Sequence, residues 1–192
     1  GLFFIRFFRC AISLYNEPLN HGIRKQLSMA AERTGQKVLC FHNPDEENGY
    51  LSNWYAAGFT YKEVYFTSME QYMMYQKAVY FDDEVIADKI LRTEDAAAIK
   101  ELGRCVSGYD ESYWNGIRQI VVFEGLYAKF SQNEELKTLL KSTEQAVLAE
   151  CAVKDKIWGI GLSMKDPDRF DRTKWKGKNL LGYSLMMVRE KL

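Results

Sequence analysis

Thr67-Ser68-Met69-Glu70-Gln71-Tyr72-Met73-Met74-Tyr75-Gln76-Lys77-Ala78 is the stretch from which the rest of the chain is read. Ser68 is a good helix N-cap, because its hydroxyl can accept a hydrogen bond from an orphan backbone N–H of the first turn. Glu70 then falls in that turn, where the positive end of the helix dipole favours an ionised carboxylate. Positions 70, 73, 74 and 77 share one helical face, so a carboxylate, two methionines and an ammonium line one wall. A charged stripe amid aromatic residues suits a small nucleotide-like ligand. An isolated segment of this kind reads first as a surface helix with an exposed Glu and Lys.

The flanking sequence is mixed in its periodicity. Lys37 to His42 reads as a strand, residues 43–49 as a polar loop, and residues 55–66 as a hairpin of aromatic-rich strands. Helices follow at 69–80, at 83–92 after Asp82, at 94–102 after Thr93, at 111–130 after Asp110 and at 134–141 after Asn133. Gln145 to Val153 has the small and β-branched content of a strand. Residues 161–178 form a long charged loop containing Pro and Gly, and 179–191 close the chain as a helix or a strand. The order predicts an α+β fold: a single compact, largely helical domain with a small β-sheet. Nothing repeats internally.

The first 38 residues read as an extension. Gly1-Leu2-Phe3-Phe4-Ile5-Arg6-Phe7-Phe8-Arg9 is apolar, but Arg6 and Arg9 interrupt it, and it is too short to span a bilayer. Residues 20–34 suggest a helix capped by Asn20 and stopped by Gly35, with Ile23, Leu27, Ala30 and Ala31 as its stripe. The division expected is therefore 1–38 as an N-terminal extension with a helix and 39–192 as the main domain.

Composition narrows the chemistry. The chain has 192 residues, 47% of them hydrophobic and 27% charged, as in a soluble globular protein. Its formal net charge is zero, so no global field draws it to nucleic acid or membrane. Twelve Tyr and eleven Phe supply stacking surface as well as core. Cys10, Cys40, Cys105 and Cys151 form no Cys-x-x-Cys pair, which argues against zinc and against a disulfide scaffold. A reducing, cytoplasmic compartment fits such thiols. With only His21 and His42, and with neither a Gly-x-Ser-x-Gly elbow nor a Walker loop, hydrolytic chemistry falls to carboxylates without a metal or cofactor.

Ordered blocks surround the opening helix. Phe41 and Leu51-Ser52-Asn53-Trp54-Tyr55 precede it. Gly103-Arg104, Trp114, Ala128-Lys129-Phe130 with Asn133 and Leu136, and Trp158-Gly159-x-Gly161 follow. Gly177-Lys178-Asn179-Leu180-Leu181-Gly182, then Leu185-Met186-Met187 and Arg189, complete the set. This series resembles the NADAR (YbiA-like) family, whose signature places a Ser-Glu or Ser-x-Glu before an aromatic-rich helix ending in Gln-Lys. The resemblance runs over roughly residues 40–191. Some YbiA-like proteins have Asp between the two glycines, where this chain has Ile160, so it departs there from that branch.

The resemblance implies hydrolysis of an N-glycosidic bond between a base and a phosphorylated ribose. Two substrate branches belong to such domains: pyrimidine intermediates of riboflavin synthesis, and ADP-ribose attached to guanine, the latter also on nucleic acid. Such a bond breaks through an oxocarbenium-like state, which a fixed carboxylate stabilises or supplies with an activated water. Glu70 is the candidate, with Asp155, ahead of the family's Trp-Gly, as a second carboxylate or an exposed turn residue. Trp114 and Trp158 would hold the base, although Trp114 shares a helical face with Ile117 and Val121 and reads equally as core. In Arg172-Thr173-Lys174-Trp175-Lys176-Gly177-Lys178-Asn179, glycine would let the backbone approach a ligand, while Lys178 and Asn179, with Arg104, would hold phosphate. Asn53 would fix a ribose hydroxyl, and Lys77 would keep Glu70 ionised or touch phosphate. The other class of function is a non-catalytic module that binds ADP-ribose or an NAD-related nucleotide.

Overall fold

In the computed structural model, which describes residues 36–192, Ser68 Oγ accepts the Gln71 N–H at 3.2 Å. That cap starts helix α1 (Met69–Tyr80) with Glu70 in its first turn. The predicted helix at 20–34 and the apolar Gly1–Arg9 segment lie outside the described residues. Ahead of α1 come β1 (Val38–Phe41) and the hairpin β2 (Ala56–Tyr61) and β3 (Val64–Ser68). Lys62 and Glu63 turn the hairpin at φ 47 and 67, the left-handed region that two-residue loops between twisted strands require. After α1 follow α2 (Glu84–Leu91), α3 (Ala96–Arg104), α4 (Glu111–Gln132), α5 (Glu134–Ser142), β4 (Val147–Glu150) and α6 (Leu180–Lys191). The fold is α+β and largely helical, as the sequence pattern indicates.

Two boundaries moved for identifiable reasons. The cap of α2 is Asp83, whose carboxylate takes the Ile86 N–H at 3.0 Å, while Asp82 lies in the left-handed region at φ 57. The cap of α3 is Asp95 rather than Thr93, whose hydroxyl donates back to the Lys89 carbonyl. An ionised Asp competes well for a cap, because it also meets the helix dipole. The closing segment is a helix throughout.

The strands form two separate pairs. β2 and β3 are antiparallel, with an irregularity between Ala56 and Phe59. β1 and β4 run parallel in the register Val38↔Val147 to Phe41↔Glu150, so Glu150 sits at the carboxyl end of that pair. Between the pairs in sequence runs α4, and its inner face buries Val121, Val122, Leu126 and Phe130. Tyr72 of α1 lies over Gly125, where an added Cβ would come within 2.3 Å of its ring. Glycine there permits two helices to approach around an aromatic ring. Phe59, Phe66 and Tyr61 surround the same ring at centroid distances of 5.2 to 5.7 Å, in tilted and edge-on geometries that aromatic quadrupoles favour. No helix among the described residues is long and apolar enough to cross a membrane.

Candidate active site

Gln71, next to Glu70, accounts for how rigidly the first turn of α1 is placed. Its amide oxygen accepts from the Thr67 backbone at 2.8 Å, and its nitrogen donates to the Ile90 and Thr93 carbonyls at 3.1 and 2.9 Å. The Glu70 N–H donates to the Asn53 carbonyl at 2.9 Å. The loop that supplies this carbonyl is tied down by Lys129, fully buried in α4, whose ammonium reaches the Tyr50 and Ser52 carbonyls at 2.8 and 3.3 Å. The family block Ala128-Lys129-Phe130 is therefore an internal brace.

The Glu70 carboxyl is 3% exposed. Burial raises its pKa to about 7, against the opposing pull of Lys100, a hydrogen bond from the Trp54 side chain and the charge of Arg104. A helix N-terminus is worth only about 0.3–2 kcal/mol to a carboxylate. Here, desolvation wins. The cation that faces Glu70 most strongly is Lys100, one turn before Arg104 on α3, rather than Lys77. Lys100 also lies 5.8 Å from the Trp54 ring centroid, and Trp54 remains partly open to solvent.

A second carboxyl shares the site. Glu150 is pushed up to about 8, first by burial, then by the charges of Asp155 and Glu70, with Lys100 opposing. Its Oε2 is buried without a hydrogen-bond partner. Asp155 behaves differently. Its Oδ1 accepts the Ile157 and Trp158 N–H groups at 3.1 and 2.9 Å, which makes it the keystone of the turn, and its charge raises both glutamates. Asn53 contributes a buried Oδ1, likewise unpartnered.

Trp158 joins this group through that turn and carries Arg118 over its ring at 5.8 Å. Trp114 lies one turn before Arg118 on α4. It is buried, and its ring is 6.5 Å from that of Tyr80. Lys77 points away from the carboxylates: its ammonium donates to the Gly103 carbonyl at 2.6 Å and stands 4.0 Å from the Tyr109 ring centroid. Met74, expected beside it on a ligand-facing wall, instead packs against Gly103, where a Cβ would meet its sulfur at 2.0 Å.

The Gly177-Lys178-Asn179 block proves architectural in large part. Gly177 lies against the Gly159 carbonyl, 2.2 Å from a would-be Cβ, so its missing side chain serves backbone packing and not ligand approach. Asn179 is fully buried; its amide accepts the Glu150 N–H at 3.1 Å and donates to the Leu148 carbonyl at 2.8 Å. Neither hydrogen-bonding end is left for phosphate. Asn179 instead fixes the backbone of Glu150. Lys178 is exposed; its N–H binds the Lys156 carbonyl, and no contact among the described residues joins its side chain to the carboxylates. Arg104 is exposed and paired with Glu101. The structure thus gathers Glu70, Asp155, Asn53 and Trp158, adds Trp54, Lys100 and Glu150, and leaves Lys178 and Asn179 outside. Glu150 and Lys100 carried no sequence signal beyond an acid ending a strand and a lysine within a helix. Trp54 stood inside a matching block and was readable there.

The NADAR domain model matches residues 40–192 of the chain. The chain belongs to the NADAR family. An N-glycosidase of Acanthamoeba polyphaga mimivirus is 36% identical over 164 residues, which cover 80% of this chain and 95% of that protein. A riboflavin biosynthesis protein of Vibrio vulnificus is 35% identical over 157 residues, covering 82% of this chain and 39% of the relative. The NMR structure of the Escherichia coli protein YbiA aligns with a TM-score of 0.67 at 30% identity, over 84% of this chain and 90% of YbiA. This NADAR domain is thus similar to YbiA in both sequence and backbone.

Proposed function

We propose that this NADAR-family chain is an N-glycosidase that hydrolyses the bond between a base and a phosphorylated ribose. Its substrate would be of the ADP-ribosyl-guanine kind, free or on nucleic acid, or a pyrimidine ribosylamine of the riboflavin pathway. The N-glycosidase activity of its relatives supports the reaction class. The observation that carries the reading is the pair of buried carboxyls, Glu70 and Glu150, raised to about 7 and about 8 beside unpartnered polar atoms.

Two buried carboxyls raised together share protons as a pair, so that one can serve as acid while the other is ionised. Glu150, whose Oε2 is buried without a partner, donates its proton to the departing base as the C1′–N bond breaks and the electron pair leaves on nitrogen. Glu70, ionised, faces the positive charge that grows on the ribose. Water then adds to C1′, and its proton passes to Glu70. The neighbouring carboxyls re-equilibrate, returning that proton to Glu150 and closing the cycle. Lys100 and Trp54 hold Glu70 in its charged form, and Asn53 Oδ1 accepts from a ribose hydroxyl. Trp158 offers a face for stacking. A pure binding module for an anionic nucleotide gains nothing from two buried carboxyls, which favours turnover.

The test is a substrate panel containing ADP-ribosylated guanine DNA, free ADP-ribosyl guanosine nucleotides and riboflavin-pathway ribosylamine phosphates, with chromatography for the released base and sugar phosphate. Release from one class identifies the branch. Tight binding of all three without release would replace the enzyme with a binding module.

A further inference from the structure

Arg118 is 7% exposed, yet it forms no ion pair or hydrogen bond among the described residues, and its Nε is buried without a partner. A guanidinium N–H buried without a partner is costly, and such groups are ordinarily bonded. Its neighbours are aromatic: the Trp158 ring at 5.8 Å and Tyr109, on whose hydroxyl its charge acts. Across the Tyr109 ring stands Lys77, at 4.0 Å, a second cation with no carboxylate partner. Asp110, the acid next to Tyr109, spends its Oδ1 on Ser112 and Tyr113. Two positive groups thus lie about one aromatic residue; the acids Glu111 and Asp110 act on the same hydroxyl, but no ion pair among the described residues joins either of them to Arg118 or Lys77.

We propose that Arg118 and Lys77 form the anion subsite that takes the phosphate or diphosphate of the substrate, with Arg118 as its principal ligand. The inference rests on the glycosidase reading of the site. Trp158 connects the two parts: it bonds to Asp155 beside the carboxyls and stacks with Arg118. A ribose phosphate has the same order, with its anomeric carbon at one end and its phosphate at the other. A guanidinium matches two phosphate oxygens at once, which suits Arg at the deeper position and Lys, a point charge, at the second.

The test uses the full chain with inorganic pyrophosphate and ADP-ribose as probes, by calorimetry and by thermal melting. Arg118→Met should lower pyrophosphate affinity by about tenfold or more, as expected when a charged hydrogen-bond donor is lost. Without ligand it should melt no lower than the wild type, because a buried N–H without a partner has been removed. Arg118→Lys keeps the charge but loses the two-point grip, and should bind pyrophosphate more weakly than the wild type and more tightly than Arg118→Met. Lys77→Met should lose a few-fold. Wild-type pyrophosphate affinity in folded Arg118→Met and Lys77→Met would overturn the proposal. So would a low ligand-free melting point in Arg118→Met with its pyrophosphate shift intact, since that marks a structural arginine. Glu70→Gln separates the two readings: unchanged pyrophosphate binding with turnover lost supports both, whereas pyrophosphate binding by Arg118 in a protein that hydrolyses nothing on the panel leaves the subsite standing and ends the glycosidase assignment.

Discussion

Helix α4 carries two buried cations, and they are treated in opposite ways. Lys129 near its end is fully enclosed and bonded to two carbonyls, with aromatic rings of Tyr55 and Phe130 at 5.4 and 5.1 Å. Arg118 near its start is almost as deeply buried and has no hydrogen bond or ion pair among the described residues. The same contrast separates the buried amides. Gln71 and Asn179 have both ends engaged with backbone, whereas Asn53 leaves an oxygen open. A buried polar group that is fully bonded fixes the architecture, since removing it strands its partners. One left open to the protein is available to a ligand or an ordered water. On that criterion Glu150, Asn53 and Arg118 mark the functional end of the molecule around Glu70, and Lys129, Gln71 and Asn179 hold it in place.

The largest expected effect breaks the open set at its centre. Glu70→Gln keeps size and shape and removes the charge. Turnover should fall roughly a hundredfold or more, as for other positioned acid–base or electrostatic groups. The folded state should be kept, because Gln still suits a first helical turn. Wild-type turnover in a folded Glu70→Gln protein would remove Glu70 from the chemistry and leave Glu150 as the carboxyl to examine.

Next comes the closed set. Lys129→Met strands the Tyr50 and Ser52 carbonyls in an apolar setting, at a cost of about 2–4 kcal/mol by the usual penalty for unpaired buried groups. It should therefore melt well below the wild type, while Arg118→Met should not. Denaturant unfolding of the two variants side by side measures the difference. Similar losses in both would mean that bonded and open cations are energetically alike here, and the contrast would fail.

How much of this was legible in the sequence follows the same division. The Ser68 cap, the place of Glu70 in its first turn and the order of helices are local patterns, and they emerged with small shifts at Asp83 and Asp95. The matching blocks located the site as a whole. Individual roles did not follow, because a side chain's partners are set by tertiary contact. Asn179 in a basic, glycine-containing loop has the composition of a phosphate ligand, and only the approach of β4 shows its amide engaged with Glu150 and Leu148. Arg118 was hidden in a helix whose apolar face drew attention to Ile117 and Val121. Glu150 ends a four-residue strand, and nothing local says that its carboxyl turns toward Glu70.

A smaller effect concerns rate against pH. One carboxyl must be ionised and the other protonated, and burial raises both into the neutral range, so activity should follow a bell around pH 7 to 8 whose two limbs belong to the coupled pair. Kcat/KM measured from pH 5 to 10 reads it directly. A flat profile across that range would separate the carboxyls from the rate-determining proton transfers.

The smallest expected effect is on stability, and its sign is the informative part. Glu150 keeps its proton to about 8 in the folded state, against an ordinary value of 4.5. Between those values the folded state binds more protons than the unfolded state, so stability is fully present below the lower value and declines as pH rises through the higher one. Glu150→Gln resembles the protonated carboxyl and cannot ionise. It should match the wild type near pH 4.5 and become the more stable of the two above pH 8. The gain should appear as a higher melting temperature of the variant above pH 8 and no difference near pH 4.5. The same variant should turn over poorly, since Gln has no proton to give the leaving base. A carboxyl that costs stability at working pH and is required for turnover behaves as the open set predicts. Melting curves at pH 4.5 and pH 8.5 decide the matter: a constant difference between the proteins, or a variant less stable at the higher pH, would return Glu150 to the structural residues.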